Sequence, residues 1–109
     1  MVLGLVKEAN YAPLYCSMYP KLAEIARLHG YAMAVHGSMA SDFDLICVPW
    51  IDQPDTPFDV IESILSKFAL KLIGDGPTMR LHNRQVWTMS LSGKSYLDLS
   101  FILIEKTHT

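Results

Sequence analysis

The run His36-Gly37-Ser38-Met39-Ala40-Ser41-Asp42-Phe43-Asp44-Leu45 places a Gly-Ser pair just ahead of an Asp-x-Asp, where one apolar stretch ends and another begins. On a strand over Asp42 to Val48, successive side chains alternate, so Asp42, Asp44 and Ile46 share one face while Phe43, Leu45 and Cys47 turn to the other, toward a core. Two carboxylates side by side on a strand repel each other, and a sheet gains nothing from that. A divalent cation removes the repulsion, and Mg²⁺ in particular combines one or two carboxylates with phosphate and water oxygens. Further along, Tyr96-Leu97-Asp98-Leu99-Ser100-Phe101 sets a third Asp inside an apolar strand pattern. The three carboxylates can act together only if the strand of Asp98 lies beside the strand of Asp42.

Each of these residues has a plainer role to compete with. Asp42 and Asp44 also suit a turn and strand start, although Asp is disfavoured within strands and apolar residues follow at once. Asp98 also suits the wet face of an antiparallel sheet. Gly37 at a strand end provides a positive φ angle; as a functional element it lets the backbone approach a phosphate, with the Ser38 hydroxyl and amide as donors. Ser41 fits a local turn cap. His29, His36, His82 and His108 have no zinc-like spacing, and His36 reads as structural or solvent-facing despite adjoining the motif. Arg80, Arg84 and Lys94 are the cations available to offset phosphate charge. Trp50 and Trp87 have the rings to stack on a base, but packing on a helix or lying at an exposed edge is the commoner use.

Gly37-Ser38, Ser41-Asp42-Phe43-Asp44-Leu45 and the single Asp98 between apolar residues together resemble the nucleotidyltransferase superfamily, with its polymerase beta-like fold. The stretch from Val35 to Trp50 (HGS, a short link, DxDL, an apolar run, then Pro-Trp) is similar to small phage-encoded proteins regarded as nucleotidyltransferase-like. The resemblance implies that Gly37 and Ser38 contact nucleotide phosphates; Lys94, in the hairpin beside the strand of Asp98, is placed among the phosphate-binding candidates by its position alone, although a turn lysine is commonly solvated. The resemblance further implies that Asp42, Asp44 and Asp98 hold Mg²⁺ or Mn²⁺ and carry the catalysis, with Asp98 nearest the attacking group. The implied reaction moves a nucleotidyl group from a nucleoside triphosphate to an acceptor hydroxyl, releasing pyrophosphate. The link here is shorter than in the superfamily, since only Met39, Ala40 and Ser41 separate the Gly-Ser from the Asp-x-Asp. No segment remains for an acceptor-binding domain, so either the acceptor site forms at a homo-oligomer or partner interface, or no transfer occurs. The alternatives are a non-catalytic nucleotide- or protein-binding module on the same fold, such as a phage accessory protein, and a structural protein with surface carboxylates.

Composition narrows the setting. A chain of 109 residues that is 50% hydrophobic supports one domain with a true core. A net charge of −2 provides no global field for nucleic acid, which would need a local basic patch, and the sequence shows no obvious one. Cys16 and Cys47 form no disulfide framework or C-x-x-C metal signature, and Cys47 reads as a buried free thiol. The apolar run at Met1 to Val6 is too short for a signal sequence, and no stretch approaches a bilayer span, so the expected setting is a reducing cytoplasm, the host's if the chain is phage-encoded.

The positioning elements follow from periodicity. Residues 1–12 carry no strong pattern and read as a loose arm. From Pro13 to Leu28, Leu14, Met18, Leu22, Ile25, Ala26 and Leu28 fall near helical spacing, with the secure helix from Pro20 to His29, an earlier turn or two before Pro20 also open, and Gly30 as its stop. Strands are expected at Tyr31 to His36 and Asp42 to Pro49, joined as an antiparallel hairpin. After the loop 50–57, Thr56 caps a second helix with Pro57 at its first position, Asp59 in its first turn, and Phe58, Ile61, Ile64, Leu65 and Phe68 on its apolar face. A short strand at Lys71 to Ile73, a turn at Gly74 to Pro77, and strands at Met79 to His82, Val86 to Leu91 and Ser95 to Ile104 complete the chain, with Ser92-Gly93-Lys94 turning between the last two. The order α-β-β-α-β-β-β, beyond that short strand, predicts a single α+β domain with two helices against one face of a mixed sheet.

Overall fold

The computed structural model describes residues 11–92 and 94–104. The elements in order are α1 (Ala12–Leu28), β1 (Tyr31–His36), β2 (Asp42–Pro49), α2 (Pro57–Lys67), β3 (Lys71–Leu72), β4 (Thr78–Arg80), β5 (Arg84–Ser92) and β6 (Ser95–Ile102). The strands form one six-stranded mixed sheet in the order β1-β2-β6-β5-β3, with β4 also paired to β5. Every pairing is antiparallel except that of β2 with β6. The chain is a single α+β domain, as its pattern predicts. The expected arm at 1–12 lies almost wholly outside the described residues, as does Gly93 of the last hairpin. Among the described residues no helix is long and apolar enough to cross a membrane.

The alternation within β2 and β6 builds the core. Phe43, Leu45 and Cys47 pair in register with Leu97, Leu99 and Phe101, and all six are fully buried. The helices cover this face: Tyr15 of α1 stacks on Phe43 at a centroid distance of 4.6 Å, and Phe58 of α2 leans on Trp87 of β5 at 5.9 Å. Burial pushes the Cys47 thiol up to about 12, which keeps it an inert core thiol.

α1 is one continuous helix with Pro20 inside it, longer than the expected Pro20-to-His29 segment. Proline removes one backbone bond and crowds the preceding turn, but Tyr15, Met18, Leu22, Ile25 and Ala26 anchor the helix on both sides of it. Leu14 and Leu28 point outward, and Tyr15, absent from the expected apolar face, is fully buried. α2 begins as predicted: Thr56 accepts from the Asp59 amide, and the Asp59 carboxylate accepts from the Thr56 amide. Its buried face is Val60, Ile61 and Ile64, while Phe58 is 48% exposed and lies across Trp87 as a lid on the core edge. Trp50 is exposed at the sheet edge.

A second polar assembly ties the helices together at the opposite end from the Asp-x-Asp. His29, just past α1, hydrogen-bonds Asp55 through Nδ1 and Ser63 of α2 through Nε2, both at 2.7 Å. The Asp55 amide donates to the His29 carbonyl, and the Tyr31 hydroxyl donates to the Asp55 carbonyl. Gly30, at φ +95°, lets the chain turn there against Ile51, where a Cβ would lie 2.7 Å from a side-chain carbon.

Candidate functional site

The strand adjacency expected from the sequence is found: β6 lies directly beside β2, parallel to it, and Asp44 and Asp98 are register partners. Because β2 and β6 run the same way, their starts lie at one end of the sheet, with Asp42 opposite Tyr96. Asp42, Asp44 and Asp98 all face away from the helices, on the side of the sheet opposite Phe43 and Leu97. β1 completes the row, with His36 opposite Asp44. Asp44 therefore sits between a histidine and a second carboxyl group, while Asp42 overhangs at the exposed strand start, where β1 has already ended.

The electrostatics centre on Asp44. Its pKa is raised, first by burial and then by the charge of Asp98; His36 partly offsets this, and Asp42 and hydrogen bonding with Asp98 add to it. Asp98 is oriented from its other side, where the Thr88 hydroxyl of β5 donates to Oδ1 at 2.6 Å. Beneath the site, the Tyr15 hydroxyl bonds the Ser41 carbonyl and, at 2.7 Å, the Ser95 hydroxyl. One core side chain thus pins both the β1–β2 link and the start of β6. Burial also raises the Tyr15 pKa, with Asp42 and Asp44 contributing.

Gly37 follows β1 at φ +85°, and a Cβ there would lie 3.0 Å from Asp44 Oδ2. Glycine is required both for the backbone angle and for the space against the carboxylate. Ser38 adjoins the same spot, but its hydroxyl accepts from the Ala40 amide at 3.2 Å, an internal turn contact. Lys94 is exposed in the β5–β6 turn, at the same end of the sheet. The structure thus brings Asp44, Asp98, Gly37 and His36 together, keeps Asp42 on the same face at the rim, and leaves Ser38 and Lys94 at the margin.

Among the described residues, no three His, Cys, Asp or Glu side chains are gathered as a ready-made metal cage. The donor chemistry still fits a hard cation: the donors are carboxylate oxygens, and the negative charge of Asp44 and Asp98 is only partly offset by His36 and has no Lys or Arg ion pair among the described residues. Thr88 and Tyr15 are not legible in the sequence as site features, whereas His36 lands opposite Asp44 in the expected hairpin. Counting back from the Ser92↔Ser95 pair would set Met89 opposite Asp98, but a register shift between Ser90 and Ser92 sets Thr88 there instead.

The Ser63–His29–Asp55 chain has the hydrogen-bond order of a hydrolase triad. Ser63 lies in the middle of α2, however, where backbone amides are committed to the helix and cannot serve a developing oxyanion. That assembly reads as a clamp. Compared with known proteins, the chain matches no family model, and no curated protein or solved structure matches it either.

Proposed function

We propose that the protein binds Mg²⁺ (or Mn²⁺) with a nucleoside triphosphate at the Asp42–Asp44–Asp98 end of the sheet and transfers a nucleotidyl group to an acceptor hydroxyl. The observation that carries this reading is the in-register Asp44–Asp98 pair on neighbouring strands, which costs stability and is held in place by Thr88. Asp44 and Asp98 would be the principal cation ligands, with Asp42 adding oxygen donors from the same face. When bound, the cation supplies charge neutralisation and Lewis-acid activation at the phosphoryl group. Asp98, fixed by Thr88, is suited to accept the proton of an acceptor hydroxyl. Gly37 keeps the space beside Asp44 open for a phosphate oxygen, and Lys94 stands at the same end to offset phosphate charge.

A second reading, a module that holds a nucleotide or a partner protein without transfer, is favoured by one observation: the Ser38 hydroxyl is engaged within its own turn. Thermal unfolding of wild type and Asp98→Asn, with each nucleoside triphosphate and with or without Mg²⁺, tests the site. A ligand at about 100 times its Kd stabilises by about 2.7 kcal/mol, a rise on the order of 10 °C for a domain of this size. A Mg²⁺-dependent rise lost in Asp98→Asn supports the site, and pyrophosphate release with an acceptor then separates transfer from holding. No rise with any nucleotide overturns both nucleotide readings.

A further inference from the structure

The open face has a second charged region, of opposite sign. Arg80 of β4 and Arg84 of β5 are direct cross-strand partners, so their side chains leave the same side of the ribbon. Like charges placed opposite one another oppose strand pairing, and neither arginine has an ion-pair partner among the described residues. Arg84 Nε is buried with no hydrogen-bond acceptor among the described residues, an orphaned charged donor of the kind a native fold seldom tolerates. The pair is held rigidly. His82 and Asn83 turn the hairpin at φ 64° and 55°, and Asn83 is tied to Leu103 through both its carbonyl and its side-chain amide.

The side of the sheet is settled by register. Arg84, Val86 and Thr88 alternate along β5 onto one face, and Thr88 bonds Asp98. Lys71, opposite Ser90, lies on that same face and is exposed. Cations therefore border the outer strands of the open face, while Asp44 and Asp98 occupy the inner ones. Arg84 stands four residues from Thr88 along β5, roughly 13 Å.

We propose that the Arg80–Arg84 ribbon binds the phosphodiester backbone of a single-stranded nucleic acid that lies along β5. Two guanidinium groups on one face supply paired donors for successive phosphates, and a bound backbone removes the repulsion between them. That this strand is the acceptor rests on the nucleotidyl-transfer reading above; its binding does not.

The test is fluorescence anisotropy of a labelled ten-nucleotide oligothymidylate at low salt, without Mg²⁺ or nucleotide. Saturable binding is expected, weakened at least tenfold in Arg80→Gln/Arg84→Gln and kept within about threefold in Arg80→Lys/Arg84→Lys, where the charge is retained. The dependence of log K on log salt should fall by about 1.4 in the glutamine variant, for two phosphate contacts at about 0.7 each. Thermal unfolding verifies that the variants are folded. Asp98→Asn should bind as wild type or tighter, so loss of metal binding there leaves this result standing. Absence of oligonucleotide binding by wild type, equal binding by the glutamine variant, or complete competition by equimolar inorganic phosphate overturns the proposal.

Discussion

The two faces of β2 and β6 are made by alternate residues of the same two strands in one register, yet they do opposite things. On the helix side, Phe43, Leu45 and Cys47 meet Leu97, Leu99 and Phe101 with no exposure, and each contact favours the fold. On the open side, Asp44 meets Asp98 and the pairing works against it. One face supplies the rigidity that lets the other hold an unfavourable arrangement. An unfavourable arrangement of this kind persists only where a well-packed scaffold holds it.

That contrast can be broken from either side. The largest effect should come from the covered face: Leu45→Ala should destabilise by about 2–5 kcal/mol, read as a lower denaturant midpoint with little change in slope. Next comes the clamp behind it. His29→Ala leaves Ser63 and Asp55 without their shared partner and should cost on the order of 1–3 kcal/mol. A preserved α2 signal in hydrogen exchange would argue against its joining the two helices. Gly37→Ala should cost about 1 kcal/mol or more from the positive φ, and the loss should shrink in an Asp44→Gly background, where the crowded carboxylate is gone.

The open face should respond with the opposite sign. Asp44→Asn removes a like-charge cross-strand pair and should stabilise by about 0.2–1 kcal/mol at neutral pH. Because burial and Asp98 raise the Asp44 pKa above its unfolded value, the native state holds this proton more tightly than the unfolded chain. The linked stability is full below the unfolded pKa and is lost as pH rises through the native one. Asp44→Asn should therefore stabilise most at neutral pH and hardly at all near pH 3, measured by denaturant titration across that range. A variant less stable than wild type at pH 7 would remove the contrast between the faces.

The two helices differ in how far local signals carried. Thr56, Pro57 and Asp59 mark the start of α2 almost completely, because a capping box is a contact among residues close in sequence. In α1 the proline signal gave way to packing: Pro20 is accommodated because the residues before it, Tyr15 above all, have a core to enter. The same distinction separates the site residues. Asp42, Asp44 and Asp98 stood out as carboxylates within apolar strands. Thr88 did not, because a one-residue bulge decides whether it or Met89 faces Asp98.

By itself the sequence determined the alternating faces of β2 and β6, the start of α2 and the need for glycine after β1, since each follows from φ/ψ limits and side-chain direction over a few residues. Only the tertiary structure decided that Asp44 stands beside Asp98 and that Arg80 and Arg84 share their face of the sheet. Strand adjacency and register between distant segments are selected by the packing of a common core. No local pattern contains that choice, because the energy that makes it arises only when the segments meet.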